Sequence, residues 1–253
     1  MKRRKLRKQP VLIFSALLAA CLILIVWNVF FGHQRLKGGL DYLKSQDEQN
    51  LSEISSKVMA NKSQKMVEAF HNGTRSVFSL FSDSVLIGDS RMYGFEAFDL
   101  VEPSRVLADA GYTINNVDDM VDEIRSLQPD VIYLSFGVND MGLEIGSDLG
   151  ENGYAQVYEQ KVDELLSVSP NSKIVINSVI PVTDETAAKT ERWAHDQEIN
   201  DRLKELAQRR GWIYVDNYGI SEDGHMADYA DDGIHFQPSF YPVWAANMVE
   251  QVL

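Results

Sequence analysis

From Ser84 onward, short apolar runs alternate with longer amphipathic stretches. Short, nearly continuous apolar runs are typical of strands buried on both faces of a parallel sheet, whereas apolar residues at helical spacing indicate helices. The predicted strands are 85–87, 105–109, 131–136, 173–180 and 212–215, and the predicted helices are 114–127, 154–168, 191–209 and 239–252. This alternation predicts an α/β fold, a three-layer α/β/α sandwich with a mainly parallel five-stranded sheet.

A serine follows the first predicted strand, and a histidine precedes the last predicted helix. Ser90 closes the tripeptide Gly88-Asp89-Ser90, and His235 lies three residues after Asp232. A serine hydroxyl becomes a good nucleophile when an imidazole takes its proton, and a carboxylate orients that imidazole. Ligands of parallel α/β sheets bind outside the carboxyl ends of the strands, where Ser90 is predicted to lie. These residues therefore predict a catalytic triad.

Two further residues at predicted strand ends can stabilise an oxyanion. Asn139 follows the apolar run 131–136, and Gly111 follows the run 105–109. A side-chain amide and a backbone N–H are both suitable donors to the charge that develops when an ester carbonyl is attacked. Each motif alone is also compatible with an ordinary turn, so the prediction depends on their joint order at the strand ends.

In this order and spacing, the blocks around Ser90, Gly111, Asn139 and His235 resemble those of the SGNH/GDSL hydrolase family. The resemblance covers roughly residues 84–253 and implies a flavodoxin-like arrangement of the sheet. It also implies a triad of Ser90, His235 and Asp232. The oxyanion donors would be the N–H groups of Ser90 and Gly111 and the side chain of Asn139. A family member of this kind is a serine enzyme that acts on carboxylic esters without a cofactor.

Arg91 departs from the family pattern, whose name places a leucine after the serine. An arginine here would either line the cleft rim and favour an anionic or sugar-bearing substrate, or cap a carboxylate on the surface. Arg91 is therefore the candidate substrate-binding residue. Trp193 presents a similar choice, between stacking on a sugar ring and packing against the sheet. The loop 141–153 is a candidate wall of the cleft.

An apolar segment near the amino terminus predicts a membrane anchor. Residues 11–31 contain only two clearly polar side chains, and 21 residues of helix span a bilayer core. The six basic residues within 1–10 predict a cytoplasmic tail, with the rest of a single-pass chain outside the cell membrane. The segment is long for a cleaved signal peptide. A lipoprotein acylated at Cys21 is the alternative, although the residues after Cys21 stay apolar.

Residues 32–83 are predicted to form a partly helical stalk or linker, and residues 84–253 the catalytic domain. The chain has 24 basic and 37 acidic residues and a formal net charge of −13, so no nucleic-acid partner is expected. No metal site is predicted, because the other histidines lack the close spacing of ligands; they are His33, His71, His195 and His225. With Cys21 as the only cysteine, no intrachain disulfide can form.

Together these features predict a membrane-anchored serine esterase of a bacterial cell envelope. Its substrate would be an acylated, most simply O-acetylated, cell-surface glycan or a related ester. One alternative is an O-acyltransferase that works with a membrane-bound acyltransferase partner to acylate an envelope polysaccharide. A second alternative is a non-catalytic binding module, although such a module would be free to lose the site residues.

Overall fold

Five parallel strands form one sheet. The computed structural model describes residues 65, 68–70, 72–218, 220 and 228–252. Within them the strand order is β2-β1-β3-β4-β5, and every neighbouring pair is parallel. This is the order of flavodoxin-like sheets, so the predicted α/β fold with a five-stranded parallel sheet is confirmed. The strands are β1 (Ser84–Gly88), β2 (Val106–Ala108), β3 (Val131–Ser135), β4 (Lys173–Asn177) and β5 (Ile213–Val215).

Helices connect the strands. The α-helices of the described residues are α1 (Ser90–Ala97), α2 (Val121–Leu127), α3 (Gly153–Val168), α4 (Asp184–Ala187), α5 (Asp196–Arg210) and α6 (Tyr241–Glu250). Short 3-10 helices span Val77–Phe81, Pro103–Arg105, Ile114–Met120, Asp140–Leu143, Ser147–Leu149 and Glu191–Trp193.

The sheet has an apolar layer on each face. Successive side chains of a strand point to opposite faces, so Leu86 of β1 enters one apolar cluster while Val85 and Ile87 enter the other. The first cluster contains residues of α1 and α6, and the second contains residues of α2, α3 and α5. Each large apolar side chain that is fully buried contributes about 1.5–3 kcal/mol to folding. These contacts produce the predicted three-layer sandwich.

The apolar pattern does not predict α1. Gly94 lies inside this helix, where glycine is less favourable than alanine by about 1 kcal/mol. In the fold, Tyr241 of α6 packs against Gly94, and a Cβ at this position would collide with the tyrosine hydroxyl. The same hydroxyl donates a hydrogen bond to the backbone oxygen of Arg91 at 2.9 Å. Close packing between α1 and α6 therefore requires the glycine that disfavours the isolated helix.

Several boundaries differ from the predicted ones, and side-chain and loop contacts explain two of them. The run 173–180 leaves the sheet after Asn177, because the side chain of Asn200 pairs with the backbone of Val179. Val179 N–H donates to Asn200 Oδ1 at 2.7 Å, and Asn200 Nδ2 donates to Val179 O at 2.9 Å. The helix predicted over 191–209 begins only at Asp196, because the preceding 3-10 turn packs against the loop after β3.

The predicted tail (1–10) and anchor (11–31) lie outside the described residues, as do most of the linker and Cys21, His33, His71 and His225. The helices of the described part of the chain include none that is both long enough and apolar enough to cross a bilayer. The membrane anchor therefore stays a prediction.

Candidate active site

Ser90 begins α1 directly after β1. Asp89 caps this helix, since its Oδ1 accepts a hydrogen bond from the backbone N–H of Arg91 at 2.9 Å. Gly88 ends the strand, and a Cβ there would collide with the backbone oxygen of Ser135 in β3. This tight turn from strand to helix places Ser90 at the carboxyl edge of the sheet. Its backbone N–H belongs to the first helical turn, whose N–H groups have no acceptor within the helix.

His235 contacts Ser90 with one ring nitrogen and Asp232 with the other. Nε2 lies 2.8 Å from Ser90 Oγ, and Nδ1 lies 2.6 Å from Asp232 Oδ2. The second carboxylate oxygen, Asp232 Oδ1, accepts hydrogen bonds from the backbone N–H groups of Ile234 and His235 at 2.8 and 2.9 Å. The structure thus brings together a hydroxyl, an imidazole and a carboxylate in the order that a serine nucleophile requires.

Asp232 is held in its ionised form. Partial burial opposes ionisation, but the hydrogen bonds from the His235 side chain and from the backbone of His235 and Ile234 outweigh it and lower the pKa of Asp232 to about 2. An ionised carboxylate beside the imidazole stabilises the imidazolium that forms during proton transfer. The side chains of His235 and Asp232 are 44% and 45% exposed, so this half of the site is open to solvent.

Asn139 lies just beyond β3, next to the loop that carries Gly111. Its Nδ2 donates a hydrogen bond to the backbone oxygen of Tyr112 at 2.9 Å. Because Nδ2 carries two hydrogens, the second one can serve another acceptor. Gly111 itself is exposed and adopts a φ of 79°, which glycine accepts without strain. The contact with Tyr112 therefore joins the two loops that carry Gly111 and Asn139, two of the three predicted oxyanion donors.

Two buried carboxylates flank the motif residues in the chain: Asp89 precedes Ser90, and Asp140 follows Asn139. Asp140 Oδ1 accepts a hydrogen bond from the backbone N–H of Ile114 at 2.9 Å, which joins the loop after β3 to the loop after β2. Burial raises the pKa of Asp89 to about 6 and that of Asp140 to about 7. Sequence reasoning missed both residues, and their position beside motif residues is the only signal that could have found them.

Arg91 lies neither at the cleft rim nor on the surface. The residue is only 3% exposed. Its Nε donates to the backbone oxygen of Ile234 at 2.8 Å, and its terminal nitrogens donate to the backbone oxygens of Ile180 and Pro181. The guanidinium carbon lies 4.9 Å from the centre of the Phe236 ring. Because these backbone contacts occupy the guanidinium inside the protein, the prediction that Arg91 binds substrate is wrong.

Trp193 is half-buried against the loop that carries Asn139, so the alternative of packing against the sheet is wrong. Its Nε1 donates to the backbone oxygen of Val138 at 3.0 Å, and the guanidinium of Arg192 lies 5.3 Å from its ring centre.

The loop predicted as a wall of the cleft, 141–153, carries the exposed Leu143 in the 3-10 helix after Asn139. The part of the chain that the structure describes contains no group of three or more His, Cys, Asp or Glu placed to hold a metal ion.

These contacts suit one kind of chemistry, the attack of an activated serine on an acyl carbon. A hydroxyl in contact with an imidazole supplies the nucleophile, and N–H donors at the strand ends can hold the oxyanion. The fold and the site together define a serine hydrolase of the three-layer α/β type. The chain belongs to the GDSL-like lipase/acylhydrolase family, whose model matches residues 86–242. Members of this family act on carboxylic esters, so the family and enzyme class expected from the sequence are confirmed.

Solved structures of bacterial hydrolases share this fold. A lipase/acylhydrolase from Enterococcus faecalis matches with a TM-score of 0.51 and 16% sequence identity, over 67% of this chain and 94% of that chain. A GDSL-like lipase from Bacteroides thetaiotaomicron matches with a TM-score of 0.51 and 16% identity, over 67% of this chain and 88% of that chain. At such low identities the likeness establishes the fold alone. No curated protein matches the chain at a significant level.

Proposed function

We propose that this esterase uses Ser90 as its nucleophile and removes short acyl groups, in particular O-acetyl groups, from a glycan outside the cell membrane. One observation carries the proposal: the continuous contact from Ser90 Oγ through the imidazole of His235 to Asp232, at 2.8 and 2.6 Å. A serine that is only structural has no need of an imidazole held by a carboxylate on its far side.

In the acylation step, Ser90 Oγ attacks the ester carbonyl carbon while His235 Nε2 takes the hydroxyl proton. Asp232 accepts the hydrogen bond from Nδ1–H and stabilises the imidazolium. The carbonyl oxygen becomes an oxyanion, which accepts hydrogen bonds from the N–H groups of Ser90 and Gly111 and from Asn139 Nδ2. When the carbonyl re-forms, the bond to the alcohol oxygen breaks. His235 gives its proton to that oxygen, and the glycan leaves with a free hydroxyl group.

The deacylation step repeats this chemistry with water. His235, neutral again, removes a proton from a water molecule that attacks the acyl carbon on Ser90. The same donors hold the second oxyanion, and its collapse breaks the bond to Ser90 Oγ. The proton returns from His235 to Ser90, and a carboxylic acid is released.

Two features support a polymeric substrate outside the cell. The base and its carboxylate are nearly half exposed, so an acyl group on a bulky glycan can reach Ser90 without entering a deep cavity. The basic tail and the apolar segment 11–31 favour an anchored chain whose catalytic domain faces the exterior. Water would accept the acyl group in the esterase reaction. If a membrane-bound O-acyltransferase partner supplied the acyl group, a sugar hydroxyl would accept it instead of water.

The test uses the full-length chain in detergent micelles and compares it with the Ser90→Ala variant. An acetylated polysaccharide is incubated with each protein, and free acetate is measured with and without a soluble oligosaccharide acceptor. Acetate release that requires Ser90 supports the esterase. Acetylated oligosaccharide in place of acetate supports the transferase. No reaction, and no labelling of Ser90 by a serine-directed phosphonate, would point to a binding module instead.

A further inference from the structure

The segment Pro181–Trp193, here called the cleft strap, contacts the turn that carries the acid and the base. The backbone N–H of Thr183 donates to Gly233 O at 2.9 Å, and the Thr186 hydroxyl donates to Asp232 O at 3.0 Å. The approach is close, because a Cβ at Gly233 would collide with the hydroxyl oxygen of Thr183. One end of the strap therefore supports the turn from Asp232 to His235.

The other end of the cleft strap contacts the loop that carries Asn139. Trp193 Nε1–H donates to the backbone oxygen of Val138 at 3.0 Å, and Arg192 Nη2 donates to the next backbone oxygen, that of Asn139, at 3.4 Å. The guanidinium of Arg192 also packs over the Trp193 ring. Gly142 lies so close to it that a Cβ there would collide with Arg192 Nε. The cleft strap thus donates hydrogen bonds to the backbone carbonyl groups of two consecutive residues, Val138 and Asn139.

We infer that Trp193 is a positioning residue for the oxyanion hole, which keeps the amide of Asn139 at its working distance from Ser90. This inference rests on the proposed function, because it takes Asn139 as an oxyanion donor. Trp193 does not touch the reacting atoms in this arrangement. It acts through the Val138–Asn139 peptide, whose carbonyl oxygen on the Val138 side accepts its indole N–H.

The backbone before Asn139 explains why such a contact is needed. Gly137 adopts a φ of 142°, a region that residues with side chains rarely adopt. Glycine restricts the backbone torsions very little, so the conformation of the loop after Gly137 is determined by the contacts that the loop makes. The hydrogen bond to Tyr112 orients the Asn139 side chain, and the bond from Trp193 fixes the peptide that carries it. A displacement of about 1 Å can lower a catalysed rate by about 10²-fold.

The first test is Trp193→Phe in the full-length protein, which keeps an aromatic ring and removes the N–H donor. We expect kcat for an aryl acetate to fall about tenfold, as for the loss of one hydrogen bond, with KM changed less than about twofold. The matched control is Trp212→Phe. Trp212 directly precedes β5, away from the carboxyl edge of the sheet, and its ring centre lies 4.5 Å from the guanidinium carbon of Arg210. Its kcat should equal that of the wild type.

A double-mutant cycle with Asn139→Ala separates positioning from general loosening of the fold. Asn139→Ala alone should lower kcat by about 10²–10³-fold. Trp193→Phe should then add less than about twofold in that background, because no amide remains to be positioned. Independent effects that multiply, or an unchanged kcat in Trp193→Phe, would overturn the inference. If Trp193→Phe fails to fold, Arg192→Gln tests the neighbouring contact in the same cycle.

The cycle also distinguishes a failure of the proposed role of Asn139 from a failure of the proposed role of Trp193. A normal kcat in Asn139→Ala would remove Asn139 from the oxyanion hole, and the inference would fall with that part of the proposed function. A low kcat in Asn139→Ala together with a normal kcat in Trp193→Phe would overturn the inference alone.

Discussion

His235 Nε2 lies 2.8 Å from Ser90 Oγ, although 145 residues separate the two in the chain. Ser90 begins α1, and His235 lies in the loop before α6. These two helices pack closely where Tyr241 meets Gly94, and Arg91 joins the backbone beside His235 to the segment that follows β4. The contact between nucleophile and base therefore depends on the packing of one face of the sheet.

Ser90→Ala should abolish turnover of an aryl acetate, because no other hydroxyl contacts His235 Nε2 in the described residues. A serine-directed fluorophosphonate should label the wild type at Ser90, as measured by mass spectrometry of peptides. The exposed Ser104→Ala serves as the control and should retain both activity and labelling. Turnover near the wild-type rate in Ser90→Ala would remove this residue from the mechanism.

Asp232→Asn should lower kcat by about 10³–10⁴-fold, because asparagine carries no charge to stabilise the imidazolium that forms during proton transfer. With a pKa of about 2, Asp232 is ionised throughout an assay from about pH 4 to about pH 9, so the loss in kcat should persist across this range. Circular dichroism checks that the fold is intact. An unchanged kcat would mean that Asp232 is not the triad acid.

Asp140→Asn should gain stability relative to the wild type as the pH rises from about 4 to about 7. Burial raises the pKa of Asp140 from 3.8 to about 7. In this range the unfolded chain has lost the carboxyl proton and the folded protein keeps it, so rising pH favours unfolding of the wild type. Asparagine does not titrate, and its oxygen can still accept the hydrogen bond from Ile114.

The measurement for Asp140→Asn is the free energy of unfolding in urea at several pH values. The exposed Asp148→Asn, in the same region of the chain, is the matched control. A difference between wild type and Asp140→Asn that stays constant from pH 4 to pH 7 would contradict the prediction.

Arg91→Lys should destabilise the fold without changing substrate preference. A lysine cannot reproduce the three contacts of the guanidinium with backbone oxygens, so we expect a loss of about 2–4 kcal/mol in the free energy of unfolding. The ratio of kcat/KM for a neutral and an anionic aryl ester should match that of the wild type. A changed ratio of kcat/KM values in a protein of normal stability would mean that Arg91 does contact the substrate.

The sequence alone was sufficient for the strands and for the order of the site residues. The strands are continuous apolar runs because they are buried on both faces. This pattern can be recognised in the sequence without knowing which strands are neighbours in the sheet. Ser90 lies two residues after the end of β1, and Asn139 lies four residues after the end of β3. In a parallel sheet these carboxyl ends share one edge, so their proximity could be predicted from chain order.

Other features of the structure could not be predicted from the local sequence. The helix α1 contains a glycine that lowers its intrinsic propensity, and only Tyr241 of α6 explains that residue. Asp89 and Asp140 look like turn carboxylates in the sequence, because nothing local indicates that they are buried. The cleft strap has no apolar periodicity that would predict its contacts on both sides of the site.

Arg91 and Trp193 mark the boundary between the two kinds of information. The sequence determined that a cation follows the serine and that a tryptophan follows the loop after β4, and it determined the residue types of the site. Only the tertiary structure decided that Arg91 faces inward to backbone oxygens and that Trp193 rests on the loop of Asn139. The physical reason is that side-chain direction and burial depend on partners distant in the chain. Apolar periodicity and strand-end motifs, in contrast, are local properties of the sequence.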